Sequence, residues 1–127
     1  MRCIRHAIAL AAIGAYTSIL ADAPAGRQVK TTGELVELCS VSADDPSYAA
    51  AMGFCLGYVD GVLDYHAALT SGVMYRPIVC PHAALTREEV VRVFLDWSKA
   101  NPQLLGIEAP VEGLMRAVYE KWPCAWR

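Results

Sequence analysis

The chain has 127 residues, 55% of them hydrophobic and 19% charged, with a formal net charge of −2. That length fits one domain with a modest core. The Lys and Arg residues form no cluster, which argues against nucleic acid or an anionic membrane surface as partner, because both need grouped positive charge.

Residues 1–23 read as a secretory signal peptide. Arg2 and Arg5 precede an almost wholly apolar run, Ala7 to Leu20, and Ala21-Asp22-Ala23 supplies small residues at a cleavage point. The run is short of the roughly 20 residues that span a bilayer, so no membrane association is expected after cleavage. The remainder, 24–127, is expected to be a single exported domain. Cys3 leaves with the leader, and Cys39, Cys55, Cys80 and Cys124 stay. An even count in a small exported chain predicts two disulfides. There is no Cys-x-x-Cys pair and only His66 and His82 remain, so neither a metal nor a cofactor is expected.

Thr31-Thr32-Gly33-Glu34 has the form of a capping box and predicts a short helix ending near Cys39. Asp45-Pro46 is a start signal for a second helix, from about Ser47 to about Leu69, closed by Thr70-Ser71-Gly72. An irregular connector follows, with Met74, Tyr75, Arg76 and Pro77. Thr86 to Glu89 is a second capping box. The third helix places Val90, Val93, Phe94 and Trp97 on one face and stops before Asn101-Pro102. After a turn at Gln103 to Leu105, Pro110 opens a last helix expected to bury Val111, Leu114, Met115, Val118 and Trp122. No segment has a strand pattern. The fold class is all-α, a small helical bundle of four to five helices stapled by two disulfides.

The helices favour one pairing of the cysteines. Cys39 ends the first helix and Cys55 lies two to three turns into the second, so antiparallel packing brings them level. Cys80 precedes the third helix and Cys124 follows the last. Cys39–Cys55 and Cys80–Cys124 are the expected bridges.

The second helix carries "GFCLGYVDGVLD". Gly53, Gly57 and Gly61 fall near one face and read as tight packing, against the first helix near the Cys39–Cys55 bridge, ahead of a dimer seam. Asp60 and Asp64 are i, i+4 neighbours. They read first as a solvated acidic face and next as a partner contact; acid–base chemistry would need a cleft and pKa values pushed apart. No nucleophile elbow or phosphate loop is present, and His66 and His82 read as surface histidines. Tyr48, Tyr58 and Tyr119 read as core or half-buried residues and Trp97, Trp122 and Trp126 as packing residues, with exposure of Trp126 near the free end as the alternative. The connector is the more interesting segment, since Met, Tyr and Arg are enriched at interfaces. Met74 and Tyr75 either fold back on the core or project toward a partner. Asp60, Asp64, Met74, Tyr75 and Arg76 are the candidate partner-binding residues.

The order "ELVELCS", "CLGYVDGVLD", "CPHAALTREEVVRVFLDW", "NPQLL" and "AVYEKWPC", from about Glu34 to Cys124, resembles the Rap/Tai family of type VI secretion immunity proteins. The departure is that Pro81 follows Cys80 directly, with Val79 before it, where the family has isoleucine after the cysteine. The resemblance implies a periplasmic inhibitor, helical and often a homodimer, that binds a cognate effector toxin and blocks its active site. The toxins of this class are largely peptidoglycan amidases. No enzymatic activity is expected. The rival expectation is a small periplasmic acid-stress-type chaperone or another disulfide-bonded helical binding protein.

Overall fold

Helix starts follow the chemistry of their caps. A computed structural model describes residues 28–125; the expected leader, 1–23, and Trp126 lie outside the described residues. Helix α1 is Thr32–Cys39, and the Thr31 hydroxyl accepts from the Glu34 N–H at 3.2 Å. The other half of the expected box is shifted by one residue: the Glu34 carboxylate accepts from the Lys30 N–H at 2.6 Å. Helix α2 is Tyr48–Thr70, with Ser47 at its N-cap. Asp45, the expected cap, instead closes the preceding turn, where its carboxylate accepts from the Ser47 N–H and hydroxyl, both at 2.7 Å. Helix α3, Arg87–Ala100, is capped by Thr86, whose hydroxyl accepts from the Glu89 N–H at 3.1 Å. A one-turn 3-10 helix, Pro102–Leu104, leads to α4, Pro110–Lys121. There Glu112 reaches back to accept from the Ala109 N–H at 2.9 Å.

Among the described residues there is no strand, only an isolated bridge between Val79 and Pro123. The fold is all-α, with four α-helices and the expected bridges Cys39–Cys55 and Cys80–Cys124. α3 packs on both α4 and α2, and α1 crosses the remaining side against α2 and α4. Leu35, Val59, Val90, Phe94, Leu114 and Val118 are completely buried where these helices meet. Each contributes roughly 1.5–3 kcal/mol relative to an exposed position.

The seam between α1 and α4 has no room for side chains. Thr32 is fully buried. Its N–H donates to the Glu108 carbonyl at 2.9 Å, and its hydroxyl reaches the carbonyls of Glu108 and Ala109 at 3.2 and 2.9 Å. A Cβ on Gly113 would stand 2.9 Å from the Thr32 Cβ and nearer still to its Oγ1 and Cγ2, so only glycine fits. Glu108 is itself buried. One of its carboxylate oxygens accepts from Arg116 Nη2 at 2.6 Å and Nε at 3.1 Å. That hydrogen bond, reinforced by the carboxylate charge, pushes the Arg116 pKa up from an already high value.

Two expectations fail here. Val111 and Tyr119 of α4 are exposed. The buried face is Pro110, Gly113, Leu114, Ala117 and Val118, the i, i+3, i+4, i+7, i+8 series. Its centre is set by Gly113 and Ala117, which let neighbouring helices approach, and not by the bulkier Val111. The glycines of α2 do not pack against α1 either: a Cβ on Gly53, Gly57 or Gly61 would meet nothing within 4 Å. Cys55 and Val59 point inward. Each lies two positions from a glycine, roughly 200° around a helix, so the glycines face out.

Candidate functional site

The connector between α2 and α3 is a short loop held firmly at its base. Its leading end is α2, whose last turn is closed by the Thr70 hydroxyl donating to the His66 carbonyl at 2.8 Å and the Ser71 hydroxyl donating to the Ala68 carbonyl at 2.9 Å. Its trailing end is the segment 78–80, tied antiparallel to the residues after α4. The Cys80 N–H donates to the Trp122 carbonyl at 2.8 Å, and the Cys124 N–H to the Ile78 carbonyl at 3.2 Å. Val79 is buried beside this bridge, and the Cys80–Cys124 disulfide locks it covalently. Across the base, the Ile78 N–H donates to His66 Nε2 at 3.2 Å.

What stands on this base is apolar and open to solvent. Val73 is fully exposed, Met74 is 81% exposed and Tyr75 60%, so Met74 and Tyr75 do not fold back over the core. Tyr65 and Leu69, i, i+4 neighbours in the last turns of α2, are exposed as well, and so is Ile78. Exposed Phe54 and half-buried Tyr58 continue the aromatic edge along α2, with ring centroids 6.2 Å apart; burial pushes the Tyr58 phenol pKa up. An apolar projection of this kind in a small protein is the usual mark of a contact surface.

The two aspartates do not act as a pair. Asp60 reaches across to α3, where its carboxylate accepts from Arg87 Nη1 at 3.1 Å, while Asp64 is exposed on the outer side of α2. Arg76 is exposed beside Tyr75. Thus Met74, Tyr75 and Arg76 are together on one loop, whereas Asp60 belongs to the α2–α3 contact. Of the two histidines expected at the surface, His82 is exposed and His66 is half-buried and engaged. Sequence reading missed its role, since a single i, i+12 bond to a backbone amide leaves no pattern.

A concavity of about 390 Å³ runs between α2 and α3. Met52, Leu56, Val91 and Leu95 form its apolar wall over Cys39, and Glu88, Arg92, Asp96 and Lys99 its charged rim. Lys99 donates to Asp96 at 2.9 Å and holds that carboxyl below its ordinary range, by the hydrogen bond first and by its charge. Among the described residues no group of three or more His, Cys, Asp or Glu is placed to hold a metal ion. No described helix is long and apolar enough to cross a membrane.

A disulfide-stapled helical bundle that presents a braced apolar loop is a binding protein in form. The chain belongs to the Rap1a immunity protein family, whose profile matches residues 31–124. No curated protein and no solved structure matches it. The matched span includes all four helices, both bridges and the loop, so the family assignment covers the whole of the braced site.

Proposed function

We propose that the chain is exported by a signal peptide at 1–23 and acts in the periplasm as an immunity protein against a type VI secreted toxin of the peptidoglycan amidase class. It works by occlusion: Met74 and Tyr75, with Val73, enter the toxin's cleft while Arg76 contacts its rim. Asp64 lies on the same helix and Asp60 at the α3 junction, and both meet the partner at the edge of the contact. The observation that carries this reading is the exposed apolar loop on a base braced by the Cys80–Cys124 disulfide, in a member of the Rap1a immunity proteins. A braced loop loses little entropy on docking, which is how inhibitors gain affinity. The mechanism asks no chemistry of this chain.

A homodimer is part of the same proposal, with the open α2 face as its seam. It is supported by the empty space over Gly53, Gly57 and Gly61, where a second helix can approach closely. The expected result of light scattering is twice the chain mass, reduced to one chain mass by Gly57→Arg; a chain mass without that substitution rejects the dimer.

Affinity capture tests the function. The oxidised protein is mixed with lysate and secreted fractions of its own organism. One stoichiometric exported hydrolase, whose periplasmic toxicity the protein relieves, is the expected outcome. A broad set of weakly bound proteins that grows at acid pH would replace immunity by the chaperone reading.

A further inference from the structure

We propose that His66 is the positioning residue of the loop: its neutral imidazole fixes Ile78 against α2 and so sets the direction in which Val73, Met74 and Tyr75 project. The loop leaves α2 at Ser71 and returns at Ile78. The clamp to Trp122–Cys124 ties the returning segment 78–80 to the end of α4 and not to α2. A side-chain hydrogen bond joins α2 to that segment: the Ile78 N–H donates to His66 Nε2 at 3.2 Å. It lies within the helical turn that the Thr70 hydroxyl closes by donating to the His66 carbonyl. His66 therefore joins the two ends of the loop directly.

The bond is conditional on protonation. Nε2 accepts a hydrogen bond only when it carries no proton, and the imidazolium is a donor at both nitrogens. Protonation thus sets an N–H against the N–H of Ile78. The charged and titratable groups nearest the imidazole lie on α2, on the loop and at the end of α4. On α2, Asp64 lies two positions back and is exposed, and Asp60 is engaged by Arg87 at the start of α3. In the loop stand Tyr75 and Arg76. The segment Trp122–Cys124 behind 78–80 carries no titratable side chain, Cys124 being bridged, and Lys121 before it is exposed. Among the described residues His66 has no carboxylate ion-pair partner. Imidazoles change charge between about pH 5 and 8, so the loop is braced at neutral pH and released on acidification. The consequence for toxin binding rests on the loop's role given above. The tether itself is read without toxin, so either can fail alone.

The test is amide exchange at Ile78 and ¹⁵N relaxation across 72–78 in the oxidised protein at pH 8 and pH 5, corrected for intrinsic exchange. One hydrogen bond corresponds to roughly a two- to tenfold change in protection. The Ile78 amide should lose about fivefold protection at pH 5, and the loop should gain fast motion with it. His66→Leu should show the released loop at both pH values. His66→Gln, whose side-chain carbonyl accepts without titrating, should keep the braced loop at both. Equal protection at pH 8 and pH 5 in the unsubstituted protein would overturn the assignment. So would His66→Gln that still switches with pH, which keeps the question decidable even if the leucine variant misfolds.

Discussion

Gly113→Ala and Gly57→Ala add the same methyl group to a helix interior, and their surroundings give them opposite signs. In a helix the exchange alone is favourable by about 1 kcal/mol. At Gly57 nothing lies within 4 Å of the new Cβ, so most of that gain should survive, about 0.5–1 kcal/mol. At Gly113 the new Cβ would stand 2.9 Å from the Thr32 Cβ, with Oγ1 and Cγ2 nearer. Carbon atoms rest about 3.5–4.0 Å apart, so α1 and α4 must separate by roughly 1 Å or Thr32 must turn away. Separation costs about 1–3 kcal/mol as overpacking. Turning Thr32 gives up its hydroxyl bonds to the Glu108 and Ala109 carbonyls, about 1 kcal/mol. Set against the helix gain of about 1 kcal/mol, the net expectation is a loss of up to about 2 kcal/mol and a fall in Tm of up to roughly 15 °C for a domain of this size. Urea unfolding with the disulfides intact, at concentrations where the chain is monomeric, gives both values. Thr32→Ser removes Cγ2 and keeps the hydroxyl, so it should recover part of the Gly113→Ala loss in a double-mutant cycle. A stabilising Gly113→Ala, or a loss indifferent to Thr32→Ser, would refute the close contact.

Met74→Ala and Tyr75→Ala should leave stability within about 0.5 kcal/mol, as exposed positions do, while weakening toxin binding by about 2 kcal/mol each, or some thirtyfold, if they are anchor residues; calorimetric titration reads the second value and thermal melts the first. Limited reduction should open Cys80–Cys124 before Cys39–Cys55, because Cys39 and Cys55 are buried whereas Cys80 and Cys124 are half-exposed; alkylation and peptide mapping give the order. In the chain-entropy account, removing the bridge across 16 residues costs about 3 kcal/mol and that across 44 about 4 kcal/mol, which denaturant unfolding of the paired Cys→Ser variants measures. The Ser47 hydroxyl, and then its N–H, hold the Asp45 carboxyl below its ordinary 3.8. A depressed carboxylate stabilises the fold above the ordinary value, and the effect fades as pH falls through the folded value. Asp45→Asn should therefore flatten part of the decline in Tm below pH 3.8.

Local chemistry was legible before any coordinates. Thr31 and Thr86 mark helix starts because a cap is a contact three residues long, and both threonines accept the expected N–H. The disulfide pairing follows because it needs only helix order and approximate levels. The α2 glycines were misread for a related reason. A spacing of four defines a face, but it does not say whether a neighbour covers that face, and Cys55 and Val59 orient the helix the other way. The Thr32–Glu108 and Glu108–Arg116 contacts were invisible, since Thr32 and Glu108 lie 76 residues apart and single polar residues leave no periodic trace. In the site, the composition of Val73 to Arg76 marks an interface, but composition does not say whether Met74 and Tyr75 turn inward. Their outward projection depends on the base, which involves His66, Ile78 and the far end of α4.

Pairing the segment 78–80 with Trp122–Cys124 sets an order of assembly, because its partner is the last part of the chain. A chain made and exported from its N-terminus can close Cys39–Cys55 once its second helix has emerged. The loop passes through early as well, yet its mount is missing until Cys124 arrives and is oxidised. On the proposed role, the surface offered to a partner is completed only when the C-terminal segment with Cys124 is in place. A copy kept in a reducing compartment, or cut short before Trp122, has the loop's residues and lacks its brace. On the proposed role, full binding would require a complete chain with Cys80–Cys124 oxidised.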